Sequence, residues 1–191
     1  MIKRTAGADT NGSSKPPSAA ETPAKATARP ADARQARMAQ SFSQIVAVLM
    51  RDPNFKNLRL ADLEWLVIPA VLSGQFELAH VRTRPGTDKD KEKDKANQGG
   101  IFVPIAVALW AHVSPAVDKA LSENLDKPLQ LRPNQWASGN IAWLVAAAGD
   151  RRAVPTFLKQ LGEKKFKGQP VKLRARGPDG SVVVKTLAQY A

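Results

Sequence analysis

An uninterrupted apolar run at residues 101–111 constrains the fold of this chain more than any other feature. The run is rich in β-branched residues, which favour a strand. It is also far shorter than the roughly 20 apolar residues that a membrane-spanning helix needs. We therefore predict a central β-strand. Since a central strand needs other elements to cover it, the run favours a layered α/β (α+β) domain.

Shorter patterns predict the other elements, in the order α-α-β-β-α-β-α-β-β. Pro69 is expected to bend the second helix and Gly74 to end it. Ser114-Pro115 is typical of a helix start, and Asp179-Gly180 of a hairpin turn. The predicted helices cover about residues 38–49, 60–72, 115–124 and 150–161, and the predicted strands cover residues 75–82, 101–111, 141–147, 171–176 and 182–187. Together they predict a central mixed or antiparallel sheet flanked by helices.

Composition divides the chain into a tail and one domain. Residues 1–38 are basic and rich in Ala and Pro, with no sustained apolar period, and are predicted to be a disordered tail. Residues 39–191 are predicted to form the domain, with a charged loop insertion at residues 83–100. The chain has no cysteine and no secretory signal pattern, so we expect a cytoplasmic protein without a membrane association. His80 and His112 are the two histidines, and no cluster of ligands predicts a metal site.

The formal net charge is +12, and much of it is concentrated near the C-terminal end. Residues 151–185 carry ten basic and two acidic side chains, which points to an acidic partner. A nucleic acid would satisfy the charge, but no binding module is recognisable and no aromatic residues alternate with the basic ones. A solvated basic face is the remaining alternative.

Several short motifs follow one another at characteristic spacing. They are the loop Asp52–Leu58, Pro69-Ala70, the aromatic-led strand start Gln75–Leu78, Trp110–Ser114, Trp136–Trp143, Gly149-Asp150, Lys164–Phe166, the basic strand Val171–Arg176 and Gly180–Val182. In this order they resemble the RTX-toxin-activating lysine acyltransferase family over about residues 40–187.

The resemblance implies a fold related to the GCN5-like acetyltransferases. It also implies an enzyme without a bound cofactor, which takes a fatty acyl group from acyl carrier protein and places it on internal lysines of an RTX toxin. Homodimerisation is implied as well.

Two positions depart from the family pattern. The family's catalytic His falls at Phe55, and its catalytic Asp falls at Ala146. His112 and Asp52 are the candidate substitutes for a base, although a surface or capping histidine and a turn aspartate are the more common roles of such residues. The expected carrier-binding or substrate-binding residues are Arg151, Arg152, Lys164, Lys165, Lys172, Arg174, Arg176, Trp110 and Trp143.

Three functions remain open from the sequence. The first is an acyl-carrier-dependent lysine acyltransferase with an altered site. The second is a catalytically inactive relative that binds an RTX protein or acyl carrier protein and assists secretion. The third and weakest is a basic nucleic-acid-binding protein.

Overall fold

A computed structural model describes residues 30–83 and 101–190. The helices are α1 (Pro30–Leu49), α2 (Asp62–Leu66), α3 (Ile68–Ser73), α4 (Pro115–Glu123), α5 (Ala153–Lys164) and α6 (Leu187–Tyr190), with a 3₁₀ turn at Pro133–Gln135. The strands are β1 (Phe76–Thr83), β2 (Ile101–Val113), β3 (Ile141–Gly149), β4 (Val171–Arg176) and β5 (Val182–Thr186). The predicted order of helices and strands is confirmed, with α6 and the 3₁₀ turn in addition.

The five strands form one mixed sheet in the order β1-β2-β3-β4-β5. Only the β3–β4 pair is parallel, while the other neighbours are antiparallel. The predicted mixed sheet flanked by helices is therefore confirmed.

Strand β2 is an interior strand between β1 and β3, as the apolar run predicted. Val107, Leu109 and Ala111 point to a core shared with α1, α2, α3 and α4, which we call the first face of the sheet. Ala108 and Trp110 point to a second core shared with α5 and α6, which we call the second face. This alternation explains why the run is apolar at consecutive positions.

Local signals for the ends of elements are confirmed. Gly74 ends α3 in the left-handed region at φ 67°, and its N–H donates to the carbonyl oxygens of Ala70 and Val71. Ser114 caps α4, with Pro115 in the first turn. The β4–β5 hairpin turns through Gly180 at φ 83°.

Three predicted boundaries differ from the structure. Helix α1 begins at Pro30, so residues 30–38 of the predicted disordered tail are helical. The predicted helix 60–72 is two helices that meet at Val67, because Pro69 has no N–H to continue the ladder. Helix α5 begins at Ala153, three residues after Asp150, whose carbonyl oxygen accepts the N–H groups of Ala153 and Val154. Residues 1–29 and 84–100 lie outside the described residues, and with them most of the predicted tail and charged insertion.

None of the described helices is both long and apolar enough to cross a bilayer.

Candidate functional site

The loop at residues 52–58 follows α1 and is fixed to the sheet through Asp52. The Asp52 side chain is buried. Its Oδ1 accepts a hydrogen bond from the N–H of Asn54 at 2.8 Å, and its Oδ2 accepts one from the N–H of Gly149 at 2.9 Å. The loop is therefore held against the C-terminal end of β3.

A β-bulge in β3 decides which of its side chains face this loop. Leu109 pairs with Ala146 and Trp110 pairs with Leu144, so Val145 is an extra residue without a partner on β2. Without the bulge, residues 143 and 146 would lie on opposite faces of the sheet. With it, Trp143 and Ala146 both belong to the core of the first face.

Phe55 packs against that same core. The structure thus brings the loop position Phe55 and the strand position Ala146 to the same face of the sheet, from opposite ends of the domain sequence. The sequence suggested this association only through the order of its motifs.

Strands β3 and β4 run parallel but share only two ladder pairs, Ala142 with Val171 and Trp143 with Lys172. Toward their C-terminal ends, residues 144 and 146–149 of β3 pair with β2, and residues 144–149 pair with no residue of β4. The bulge at Val145 lies where this pairing stops. Backbone groups on that side of β3 are consequently left without a strand partner within the described part of the chain. The carboxyl ends of parallel strands are a common location for bound ligands.

An ion-paired cluster lies at the last β3–β4 pair. Asp118 of α4 accepts hydrogen bonds at its Oδ1 from the Nε1 of Trp143 at 2.8 Å and from the Nζ of Lys172 at 2.7 Å. Its Oδ2 accepts a further bond from the same Nζ at 2.9 Å. One carboxylate therefore joins α4, β3 and β4 at the point where the two strands stop pairing.

The comparison with protein families agrees with this architecture. The sequence model of the RTX toxin acyltransferase family matches residues 98–188, a segment that includes β2, β3, β4 and β5. Over these residues, which are just under half of the chain, the sequence is similar to that family. A search of the curated proteins finds no match.

The matched segment includes Ala146 but not Phe55. The assignment of the family's catalytic His to Phe55 therefore rests on the motif order and on the packing of the 52–58 loop against the end of β3. Neither side chain can accept a proton, so both of these positions are apolar in the present chain.

The two candidate substitutes for the base are placed differently. His112 lies on β2 between Ala111 and Val113, which both point to the core of the first face, so the His112 side chain points to the second face, away from Phe55. The structure does not bring these two residues together. Asp52 is close to Phe55 in the loop, but each of its oxygens accepts a backbone hydrogen bond, as expected of a turn aspartate. His80 is exposed, with its Nε2 3.3 Å from the Oε1 of Gln44.

Two of the expected binding residues, Lys172 and Arg174, are engaged inside the domain. The Arg174 guanidinium donates to the carbonyl oxygens of Leu121, Asn124 and Lys127, which follow or end α4. Burial lowers the pKa of Arg174, an effect that the charge of Asp126 opposes. Both basic residues therefore stabilise the packing of α4 on the sheet.

The two expected aromatic residues are core residues. Trp143 is 0% exposed and donates to Asp118. Trp110 is 2% exposed, and its ring meets that of Phe166 edge-on at 5.3 Å between centroids. Neither offers a free ring face to a partner.

The other expected binding residues lie at the surface. They are Arg151, Arg152, Lys164, Lys165 and Arg176. Arg151 and Arg152 come just before α5, where a cation is electrostatically unfavourable. The nearby Asp150 offsets part of this cost, since its Oδ1 accepts the N–H of Arg152 at 2.7 Å. Lys165 contacts Glu77 at 3.6 Å and lies 5.5 Å from the Trp110 ring centroid.

Asp118 was missed by sequence reasoning. A local signal exists, because Ser114-Pro115 places Asp118 in the first turn of α4, where a carboxylate is favoured. That signal explains the position of Asp118 on the helix. It does not predict the contacts of Asp118 with Trp143 and Lys172, which are 25 and 54 residues away in the sequence.

Proposed function

We propose that this chain transfers a fatty acyl group from an acidic acyl carrier protein to an internal lysine of an RTX protein, in the cytoplasm. The lysine nitrogen attacks the thioester carbonyl carbon, and an amide bond forms as the carbon–sulfur bond breaks. The lysine ammonium loses one proton to solvent before the attack, a second proton passes from the nitrogen to the departing pantetheine sulfur, and the third stays on the amide nitrogen. The reaction needs no metal or redox partner.

The observation that carries the proposal is the incomplete pairing of β3 with β4. An extended pantetheine arm can add alongside residues 145–148, whose backbone groups on that side lack a strand partner. Such an arrangement is consistent with the GCN5-like fold that the resemblance implies. The unpaired stretch between β3 and β4 begins at the Asp118 cluster. The 52–58 loop, which is anchored at Gly149, lies at the other end of this stretch.

The exposed basic residues support an acidic donor. Arg151 and Arg152 follow β3 after one residue, so they lie beyond the end of the strand that does not pair with β4. Phosphate or acidic helices of a carrier protein would offset the unfavourable placement of these cations at the start of α5.

The apolar Phe55 and Ala146 positions determine how the proposed reaction must run. A lysine with an ordinary pKa of about 10.4 costs roughly 4.6 kcal/mol to deprotonate at neutral pH. A positioned general base typically contributes about 100- to 10,000-fold in rate, and neither position supplies one. Catalysis then rests on positioning the thioester and the amine, which is an independent contribution.

A second candidate function is supported by the same two positions. Phe55 and Ala146 are apolar, and both carboxylate oxygens of Asp52 accept backbone hydrogen bonds. The chain can therefore bind its partners without a general base for catalysis. It would then act as a binding partner of an RTX protein or acyl carrier protein during secretion.

One experiment separates these functions. The full chain is incubated with fatty-acylated carrier protein and an RTX protein, and lysine acylation is measured by mass spectrometry against the same mixture without the chain. Acylation above that background supports the enzyme. Carrier binding without acylation supports the non-catalytic partner and overturns the enzyme.

The donor surface is tested in the same assay with charge reversal. The double variant Arg151→Glu/Arg152→Glu is expected to lower carrier affinity at least tenfold. The matched control Lys119→Glu/Arg132→Glu changes the net charge equally at exposed positions elsewhere. Equal losses in both variants would indicate a nonspecific charge effect, and tighter binding to a random DNA duplex than to the carrier at physiological salt would favour the nucleic-acid alternative.

A further inference from the structure

Helices α1 and α3 form an apolar surface groove that the proposed reaction does not use. Its volume is about 500 Å³. On the α1 side it is lined by one helix face that includes Met38 and Phe42, and on the α3 side by Ile68, Val71 and Leu72. Leu72 is 63% exposed and Ile68 is 41% exposed, so large aliphatic side chains face solvent here.

The groove has a charged rim of one sign. Arg34 lines it directly, and Arg37 lines an adjoining hollow that shares Met38 and Val71 with it. Asp32, the acidic residue in the first turn of α1, does not line either one. The surface therefore combines an apolar floor with arginine at the edge.

We propose that this groove docks a single amphipathic α-helix of a partner protein, with acidic side chains beside its apolar stripe. An amphipathic helix can lay its apolar face into a groove of this kind, with its own residues i, i+3, i+4 and i+7 as the anchors. The guanidinium groups of Arg34 and Arg37 pair with carboxylates in fork geometry, which sets the orientation of the bound helix. This surface goes beyond the proposed acyl transfer, since it lies along the N-terminal half of α1 and the 52–58 loop follows the C-terminal end.

Charge argues against the other occupants. Residues 1–29, which precede α1, carry five basic and two acidic side chains, so they have the wrong sign for an arginine rim. A second copy packed groove against groove would set arginine against arginine. An anionic membrane would match the charge, but a flat bilayer surface does not have the rod shape of a depression that runs between two helices.

The test uses the full chain and a designed fluorescent peptide of about 18 residues, long enough to span the groove at 1.5 Å per residue. The probe carries Leu at i, i+3, i+4 and i+7 with Glu beside this stripe. Two comparison peptides replace Glu by Lys or scramble the order. Fluorescence anisotropy is expected to give at least tenfold tighter binding for the acidic helix than for either comparison peptide.

Matched variants locate the binding site. Leu72→Asp is expected to weaken acidic-helix binding at least tenfold, and Ile68→Asp provides a second groove variant. Leu60→Asp is the control, because Leu60 is 87% exposed and outside the groove. Arg34→Glu/Arg37→Glu is expected to reverse the preference between the Glu and Lys peptides. Circular dichroism establishes that each variant is folded.

Several results would overturn the proposal. Equal binding of the scrambled peptide, or unchanged binding in both Leu72→Asp and Ile68→Asp, would exclude a helix-docking groove. A dimer in sedimentation that Leu72→Asp dissociates would assign the groove to a second copy. Displacement of the probe by a synthetic peptide of residues 1–29 would assign it to the chain's own preceding segment, and displacement by phosphatidylserine vesicles would assign it to a lipid surface.

Discussion

The carboxylate of Asp52 accepts a hydrogen bond from the backbone N–H of Gly149 at 2.9 Å, across 97 residues of sequence. This contact ties the loop before α2 to the end of β3. It brings together the two regions in which the family resemblance places its catalytic residues, so its integrity bears on both stability and activity.

Asp52→Asn is expected to lower the free energy of unfolding by about 1–3 kcal/mol, because the amide N–H₂ would face a backbone N–H and leave a buried donor unpaired. Urea unfolding measures this. Asp126→Asn, at an exposed position, is the control. Loss of acyl transfer without a loss of stability would instead identify Asp52 as a catalytic base.

Gly149→Ala is expected to destabilise the fold by at least about 1–3 kcal/mol, since Gly149 has φ +131° and an added Cβ would lie 2.2 Å from the carbonyl oxygen of Ile105. Gly162→Ala is the contrasting variant. It lies within α5, where the nearest atom to a new Cβ is 3.5 Å away, so a gain of about 0.5–1 kcal/mol is expected. Thermal unfolding of the two variants compares them, and equal effects would contradict the backbone argument.

Local chemistry explains which parts of the fold the sequence could predict. The run at 101–111, the Ser114 cap and the Gly74 stop depend on neighbouring residues, and each is where it was predicted. The division of the second predicted helix at Val67 was predicted only in part. Pro69 indicated that the helix would be distorted, but it did not indicate at which residue.

The parts that could not be predicted depend on contacts between distant residues. The bulge at Val145 is set by register against Leu109 and Trp110. Because it changes the phase of β3, it alone decides that Ala146 lies on the face that Phe55 contacts. Arg174 was similarly assigned to partner binding from its charge, whereas the carbonyl groups it bonds are about 50 residues away.

Asp118→Asn is expected to cost about 1–3 kcal/mol, because it removes the charge that Lys172 pairs with. The loss stays below that of a fully buried pair, since the two side chains are 18% and 34% exposed. The exposed pair of Lys119 and Glu123, at 3.9 Å, serves as the comparison, and Glu123→Gln is expected to change stability by at most about 0.5 kcal/mol. Similar effects of the two substitutions in urea unfolding would refute a special role for Asp118.

Arg174→Met is expected to destabilise the domain by at least about 2 kcal/mol, because several carbonyl oxygens at the end of α4 would lose their donor. Carrier affinity of the folded fraction should stay within about twofold, because the Arg174 guanidinium is bonded to carbonyl oxygens inside the domain. Titration calorimetry with carrier protein measures it. A large loss of affinity in a stable Arg174→Met variant would return this residue to the binding surface.

Acyl transfer by the natural chain should rise about tenfold per pH unit from pH 7 to 9, because the rate follows the fraction of unprotonated lysine. Phe55→His/Ala146→Asp should raise the rate at pH 7 by about 100-fold or more and flatten this profile, since a base is then present. Phe55→Leu/Ala146→Ser is the control without a base. A flat profile in the natural chain would reveal a base elsewhere.

The hairpin formed by β1 and β2 closes its ladder at Thr83 and Ile101, where the Thr83 hydroxyl also donates to the Ile101 carbonyl oxygen at 3.1 Å. From this pair the ladder continues to Phe76 and Leu109 at the other end of the two strands. Because the free energy of closing a loop changes slowly with its length, the segment 84–100 offers a position for inserting a fluorophore tag or protease site while β2 stays in place.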